Sequence, residues 1–253
     1  MQVNDLIFKE LIKRGYSLEG KTRVWNIADS KLWYLTPEQA QAYLDLEKNK
    51  DYNESMFDTE IVMLDEFMGD ISRKALNGDT VNIIDIGCGD GKKAIPVINH
   101  LNEKAKIRYC PIDISSYMVS KAIDKIEKLH KGEVVQFKWN ISDFDNLENV
   151  SSLLRDSEFR QNLFLFLGST ISNFDLHEVM YSIMEAMDSN EDYLLMGVAM
   201  TNSHVEDIIK SYNSSRVDNF LGKVLTQIGF KKEDIGMKMK ILIEVKQQSC
   251  GAC

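Results

Sequence analysis

From residue 81 onward, short apolar runs alternate with longer segments in which apolar residues recur at helical spacing. The apolar runs predict strands at residues 81–86, 107–112, 133–138, 162–167 and 192–199. The segments between them predict helices near residues 92–103, 115–130, 147–157 and 175–188. Regular alternation of strands and helices predicts an α/β fold, with a mostly parallel, doubly wound sheet covered by helices on both faces.

The two ends of the chain show different patterns. Helical spacing dominates residues 1–76, where Thr36 followed by Pro37 is typical of a helix start. Near the other end, a helix at about 204–227 precedes residues 237–243, in which apolar residues alternate. That alternation predicts a final strand, paired antiparallel with a short strand before it, and a seven-stranded sheet. We therefore predict a helical N-terminal segment (1–76), an α/β domain (77–247) and a flexible tail (248–253).

Composition narrows the functional classes. The net charge of −9 argues against a general binder of nucleic acids or anionic membranes. There is no apolar stretch of the length that spans a membrane and no signal-peptide pattern, and the four cysteines favour a reducing, cytoplasmic location. Cys250 and Cys253 form either half of a metal or redox site or part of a fraying tail, and we favour the tail. We predict no metal site.

The most informative motif, VNIIDIGCGDG at residues 81–91, joins the first strand of the α/β region to its helix. Asp85 precedes three glycines, Gly87, Gly89 and Gly91. Glycines at such a turn let the backbone bend tightly and approach a ligand without an intervening Cβ. The spacing is G-x-G-x-G rather than the G-x-G-x-x-G of dinucleotide binders, so the loop predicts a site for S-adenosylmethionine (SAM) rather than NAD.

Acidic residues follow the next two predicted strands. Asp113 comes 22 residues after Gly91, where a carboxylate can accept both ribose hydroxyls of an adenosine. Asp143 follows the third strand, where it can accept the adenine amino group while Phe144 packs on the ring. Each acid alone is more readily explained as a helix cap, as for Asp113 and the helix starting at Ser115. Because the ends of parallel strands meet at one edge, the three features together favour a cofactor site.

The segment LFLFLGSTISNF (163–174) resembles the LFLGSTIGNF block of the histidine-specific SAM-dependent methyltransferases of ergothioneine biosynthesis. The motifs PIDIS (111–115), SDF (142–144) and LLMGV (194–198) follow in the family's order, and WYLTPEQAQAY (33–43) is similar to its tyrosine–threonine block. The resemblance covers residues 33–230 and is strongest in the cofactor half. It implies SAM as cofactor and the Rossmann-like class I methyltransferase fold, with the N-terminal segment contributing to the substrate pocket.

The resemblance also implies roles for individual residues. Lys93 is implied to reach the methionine carboxylate of the cofactor, and Asn173 to hold the amino-acid end of the substrate. Tyr34 and Tyr212 match tyrosines of the substrate pocket. Together with the loop and turn residues, the predicted cofactor contacts are Asp85, Gly87, Gly89, Lys93, Asp113, Asp143, Phe144 and Gly168.

Two departures from the family pattern concern the substrate. Residues 199–202 read AMTN in place of an Asp-Leu-Val-Lys block, and the Glu-x-Ser that grips an imidazole has no counterpart. The sequence therefore predicts a methyltransferase acting on an amine of a small molecule or amino acid, with the imidazole contacts for histidine missing. Two alternatives stay open: a SAM-dependent peptide or protein methyltransferase or aminocarboxypropyl transferase, and a non-catalytic module that binds SAM or a partner. No nucleic-acid or membrane partner is expected.

Overall fold

The N-terminal part of the structure is built mostly from helices. This computed structural model describes residues 3–25, 30–48, 50–141, 144, 146–155, 158–168, 170–188, 190–198 and 214–236. The N-terminal helices are α1 Val3–Arg14, α2 Pro37–Glu47 and α3 Lys50–Ala75. Between α1 and α2, strands β1 Ser17–Glu19 and β2 Thr22–Val24 form an exposed antiparallel hairpin that the helical pattern does not predict.

Five strands of the described chain form a parallel sheet. They are β3 Thr80–Ile86, β4 Lys106–Ile112, β5 Glu133–Val134, β6 Asn162–Phe166 and β7 Tyr193–Met196, in the order β5-β4-β3-β6-β7. The chain runs outward from β3 through β4 to β5, then returns to the other side of β3 for β6 and β7. The strand order therefore reverses beside β3, and ligands of open α/β sheets bind at such a switch point, outside the carboxyl ends of the strands.

Helices pack against both faces of this sheet. They are α4 Ala94–Leu101, α5 Ser116–Glu127, α6 Leu147–Leu154 and α7 Leu176–Ala186. Val81 and Ile83 of β3 are buried with side chains of α3, α4 and α5, whereas Ile84 and Ile86 are buried with α6 and α7. Since successive side chains of a strand point to opposite faces, these four residues show that β3 is buried on both sides. None of the described helices is long and apolar enough to cross a membrane.

Helix α2 begins where the sequence predicts and packs beside the sheet. The Oγ1 of Thr36 accepts a hydrogen bond from the Gln39 amide at 3.2 Å, and the Gln39 side chain accepts one from the Thr36 amide at 2.9 Å. This reciprocal pair fixes the first turn of the helix. A further helix, α8 Ser215–Gln227, packs Val217 and Phe220 against α2. Helix α2 also contacts α3 and α5, which brings the N-terminal segment to the edge of the sheet where β4 leads into α5.

The α/β prediction is confirmed. The strand boundaries differ most at β7, which ends at Met196 although the sequence predicts a strand over 192–199, and at β5. The sequence predicts a strand over residues 133–138, whereas β5 ends at Val134. The Asn140 side chain replaces further ladder bonds, because its Nδ2 donates to Pro111 O at 2.6 Å and to Val135 O at 3.3 Å while its Oδ1 accepts from the Phe137 amide. The predicted final strand (237–243) and the tail lie outside the described residues, so the count of seven strands stays a prediction.

Candidate active site

A cleft of about 410 Å³ opens at the carboxyl ends of β3, β4 and β6. Its floor is made by the glycine loop and by the turns that follow β4 and β6, and its opposite wall by α2 and by the 3₁₀ turn Ser30–Trp33. Three lysines and three acids line it: Lys31, Lys92, Lys93, Glu47, Asp90 and Asp113. Its volume lies in the range of about 300–1,000 Å³ typical of sites for small molecules and cofactors.

The three glycines of the loop have positive φ angles but different surroundings. The φ angles of Gly87, Gly89 and Gly91 are 68°, 52° and 74°. A Cβ at Gly87 would lie 2.6 Å from Cγ2 of Thr170, and one at Gly91 would lie 3.1 Å from Ala122 of α5. A Cβ at Gly89 would meet no atom within 4 Å, because this residue faces the open cleft. Gly87 and Gly91 thus allow close packing, and Gly89 leaves room for a ligand.

The Asp113 carboxylate is held in the cleft by two backbone amides. Its Oδ2 accepts a hydrogen bond from Gly89 at 3.1 Å, and its Oδ1 accepts one from Ser115 at 2.9 Å. Burial raises the pKa of Asp113 to about 6, although these amide bonds oppose the shift. The capping interpretation and the ligand interpretation of this residue are therefore compatible, since each oxygen keeps a second lone pair for a ligand.

Asp85 lies beneath the glycine loop rather than along the cleft. It is buried, and its carboxylate accepts a hydrogen bond from the Tyr109 hydroxyl at 2.7 Å. Burial raises the pKa of Asp85 to about 7. This position supports the turn from behind, at the end of β3, and does not by itself place the carboxylate against a cofactor.

Because Asp85 is buried, we expect the free energy of unfolding to depend on pH. Because the folded pKa of about 7 lies above the unfolded value, the Asp85 contribution is fully present below about pH 4 and is lost as pH rises toward 7. Asp85→Asn cannot ionise, so its free energy of unfolding should rise relative to the wild type by about 2–3 kcal/mol between pH 5 and pH 8. Urea unfolding at several pH values measures this. A difference that stays constant with pH, as expected for the exposed Asp79→Asn control, would contradict it.

Lys93 pairs with an acid that the sequence analysis did not identify. Its Nζ lies 2.6 Å from Oε2 of Glu60, on α3. The same carboxylate accepts a hydrogen bond from the Gly168 amide, with Oε1 at 2.9 Å. Gly168 has a φ of 74°, and a Cβ there would lie 2.6 Å from Lys93 Nζ. Glu60 therefore connects α3 to the turns after β3 and β6. The two groups that donate to it, the Lys93 ammonium and the Gly168 amide, can also donate to the carboxylate of a ligand.

The residues predicted for the substrate meet on the far side of the cleft. Asn173 ends a 3₁₀ turn, Thr170–Asn173, and its backbone oxygen accepts a hydrogen bond from Ser30 Oγ at 3.0 Å. Asn173 and Tyr34 both line the cleft. Tyr212, predicted beside them, and Asp143, predicted at the adenine, lie outside the described residues.

Phe144 lies where the third predicted strand end meets the cleft. Its ring packs on Phe174 and Phe166, with centroid distances of 5.0 and 6.2 Å. Its φ of 78° is uncommon for a residue with a side chain. Phe144 and Phe174 both line the cleft, so an aromatic surface is available on which an adenine can pack.

Two further residues of α2, Tyr43 and Glu47, also line the cleft. Burial raises the pKa of Glu47 to about 7, while a hydrogen bond from Tyr43 lowers it. Their spacing of four residues indicates that both lie on one face of the helix. The sequence shows this spacing, but the spacing alone does not indicate that this face of α2 lines a site.

The cleft suits SAM in size and in chemistry. Gly89 leaves an open path along the loop backbone, and the Asp113 carboxylate is fixed beside it. Lys93, Phe144 and Asn173 line the same space. A family model described as histidine-specific, SAM-dependent methyltransferase matches residues 43–232. The chain belongs to this family.

Membership of this methyltransferase family confirms the SAM cofactor. No sequence among the curated proteins matches the chain. Among solved structures, the plantazolicin methyltransferase BpumL in complex with a triazolic desmethylPZN analog and SAH is 16% identical, with a TM-score of 0.45 over 89% of this chain and 71% of that chain. A SAM-dependent methyltransferase from Aquifex aeolicus is 14% identical, with a TM-score of 0.40 over 76% and 88%. Coclaurine N-methyltransferase bound to N-methylheliamine and SAH is 16% identical, with a TM-score of 0.37 over 76% and 58%.

Proposed function

We propose that this SAM-dependent methyltransferase acts on an amine nitrogen of a small molecule or an amino acid. The observation that supports this most is that Asn173 and Tyr34 line the same cleft as Asp113 and the glycine loop. When bound, SAM supplies a methyl group on a sulfonium. The Asn173 side-chain oxygen can accept an N–H of the substrate and so aim the nitrogen lone pair, and the Tyr34 hydroxyl can do likewise.

On this proposal the cofactor contacts are divided among three strand ends. Asp113 accepts the ribose hydroxyls, Phe144 packs on the adenine and Lys93 meets the methionine carboxylate. Asp143 and Tyr212 keep the roles that the family resemblance implies. The protein contributes mainly by aligning the two reactants and excluding water, since methyl transfer needs no covalent intermediate on the enzyme.

A panel of matched acceptors tests the proposal. The protein is incubated with SAM and with amines, alcohols and thiols of similar size, and S-adenosylhomocysteine (SAH) formation is followed. We expect turnover with amines alone. Asn173→Ala should lower kcat by about tenfold or more, the loss of one aligned hydrogen bond, while the affinity for SAH is kept. Asn149→Ala, exposed on α6, serves as the control.

The same assay separates the alternatives. A methyl found on a peptide side chain would favour a peptide or protein methyltransferase. A product heavier by the aminocarboxypropyl group would identify the other transfer reaction. SAH binding without any product from the panel would favour a non-catalytic module. Turnover with alcohols or thiols but not with amines would contradict the proposal.

A further inference from the structure

A carboxylate of the protein itself holds two of the hydrogen-bond donors that line the cleft. The Oε2 of Glu60, on α3, lies 2.6 Å from Lys93 Nζ, and the two side chains are only 18% and 17% exposed. The Gly168 amide donates to both oxygens of Glu60, at 2.9 and 3.1 Å. Lys93 and Gly168 both line the cleft. Because an amide carries a single proton, another carboxylate gains the Gly168 amide only if Glu60 releases it.

The end of the sheet leaves space for the Glu60 carboxylate. A Cβ on Gly197, which directly follows β7, would overlap Glu60 Oε1 and would lie 2.9 Å from Glu60 Cδ. Gly197 is not among the glycines with positive φ, so its backbone conformation does not itself require a glycine. The position of the carboxylate does. Lys93, Gly168 and Gly197 therefore form a close-fitting site for a carboxylate, which we call the carboxylate site.

We propose that Glu60 is an internal competitor of the methionine carboxylate of the cofactor. This inference rests on the role of Lys93 in the proposed function, where this lysine meets that carboxylate. Two carboxylates repel each other and need the same donors, so the cofactor gains its charge-assisted contacts only as Glu60 gives up its own. A protein group that must first be displaced lowers the apparent affinity of the ligand that displaces it.

The competition has a consequence for the end of the catalytic cycle. SAH keeps the methionine carboxylate of SAM, so Glu60 lowers the affinity for the product as well and favours its release. The same exchange links the cofactor to α3, because Glu60 is the residue of this helix that contacts the turns after β3 and β6 at this point. Binding of the cofactor removes that connection, and release of SAH restores it.

Two ligands that differ in their amino-acid end test the competition. SAH carries the carboxylate, whereas methylthioadenosine keeps the adenosine and the sulfur and lacks the amino-acid end. Glu60→Gln keeps an oxygen for the Gly168 amide and removes the charge. We expect it to bind SAH about tenfold more tightly than the wild type does, a difference of about 1.4 kcal/mol, and to bind methylthioadenosine with an unchanged Kd. Isothermal titration calorimetry measures both.

Two further variants separate the competition for donors from a general effect of charge. Glu60→Asp keeps the charge but withdraws the carboxylate by one methylene group from Lys93 and Gly168. It should also bind SAH more tightly and leave methylthioadenosine unaffected. Glu66→Gln removes an exposed acid from the same helix and should bind both ligands as the wild type does.

The free energy of unfolding gives a second readout. Without ligand, Glu60→Gln should lower it, because a largely buried ion pair is lost. With SAH at a concentration that saturates both proteins, this loss should shrink by about 1.4 kcal/mol, the equivalent of the tenfold gain in affinity. A purely structural ion pair would instead give the same loss with and without SAH.

Several results would overturn the inference. Weaker SAH binding by Glu60→Gln would mean that the acid serves the ammonium of the cofactor or holds Lys93 in place. Unchanged SAH affinity, an equal gain for methylthioadenosine, or a gain that Glu60→Asp does not share would each exclude competition for the donors. If Glu60→Gln does not fold, Glu60→Asp takes its place in the comparison of ligands. Failure of the amine panel to gain methyl groups, with the two ligands responding as expected, would count against the proposed reaction alone.

Discussion

Asp113→Ala is expected to weaken the binding of SAH by about a hundredfold. The carboxylate is held toward the cleft by the amides of Gly89 and Ser115, at 3.1 and 2.9 Å. In our proposal it accepts both ribose hydroxyls, and two hydrogen bonds to a charged acceptor are worth about 1.5 kcal/mol each, or about 3 kcal/mol together. A loss of that size corresponds to about a hundredfold in Kd. Isothermal titration calorimetry measures it.

The control for this prediction lies on the following helix. Asp124 is exposed on α5, and Asp124→Ala removes one acid without touching the cleft. It should bind SAH as the wild type does. Because Asp113 also fixes the glycine loop, the unfolding curve of Asp113→Ala is recorded alongside. A folded Asp113→Ala protein that binds SAH with wild-type affinity would show that the carboxylate does not hold the ribose.

Gly87→Ala is expected to lower the free energy of unfolding by about 2–4 kcal/mol, combining backbone strain with overpacking. Gly87 has a φ of 68°, which disfavours a side chain, and its new Cβ would lie 2.6 Å from Cγ2 of Thr170. The two turns that form the floor of the cleft would have to separate. Urea denaturation measures the change.

Two other glycines separate backbone strain from the contact with Thr170. Gly20 has a φ of 64° in the exposed hairpin, and a Cβ there meets nothing within 4 Å. Gly20→Ala should therefore lower the free energy of unfolding by about 1–2 kcal/mol, which is the contribution of backbone strain without overpacking. Gly89→Ala should likewise leave most of the stability but lower SAH affinity, since its Cβ enters the cleft.

A compensating substitution gives the sharper test of the contact. Thr170→Ser removes Cγ2 and keeps the hydroxyl that donates to Leu167 O at 2.7 Å. In the double variant, Gly87→Ala should cost less than it does alone, because its Cβ no longer meets the methyl group. Two results would argue against a steric role for Gly87. One is that Gly87→Ala lowers the free energy of unfolding no more than Gly20→Ala does. The other is that Thr170→Ser leaves the effect of Gly87→Ala unchanged.

The parts of the molecule predicted best from sequence are those whose structure is local. The apolar run ending at Asp85 becomes a strand buried on both faces, and the turn after it needs residues with positive φ. Asp113 could be placed at the same edge because parallel strands bring their carboxyl ends together. The helix start at Thr36 also depends on a few neighbouring residues, and the structure confirms it.

The parts not predicted depend on contacts distant in sequence. Glu60 meets Lys93 and Gly168 only because α3 packs beside α4 and the turn after β6. Tyr43 and Glu47 line the cleft only because α2 lies between α5 and α8. The position of Asp85 beneath the loop depends on the hydroxyl of Tyr109 on the neighbouring strand. Helical spacing shows which residues share a face, but not what that face meets.

The short β5 has a comparable explanation. Residues 133–138 have the apolar character of a strand, yet the side chain of Asn140 hydrogen-bonds backbone groups of Val135, Phe137 and Pro111. A single amide side chain that competes with ladder hydrogen bonds is not visible in a hydrophobic pattern.

We propose that this cleft transfers a methyl group from SAM to an amine nitrogen. The most direct measurement uses SAM that carries a deuterated methyl group. The protein is incubated with this SAM and with the panel of amines, and fragmentation mass spectrometry then locates the label. We expect a product in which the intact deuterated methyl group is bonded to nitrogen, formed by the wild type and strongly reduced in Asn173→Ala. A label found on oxygen, sulfur or carbon, or equal product from Asn173→Ala, would contradict it.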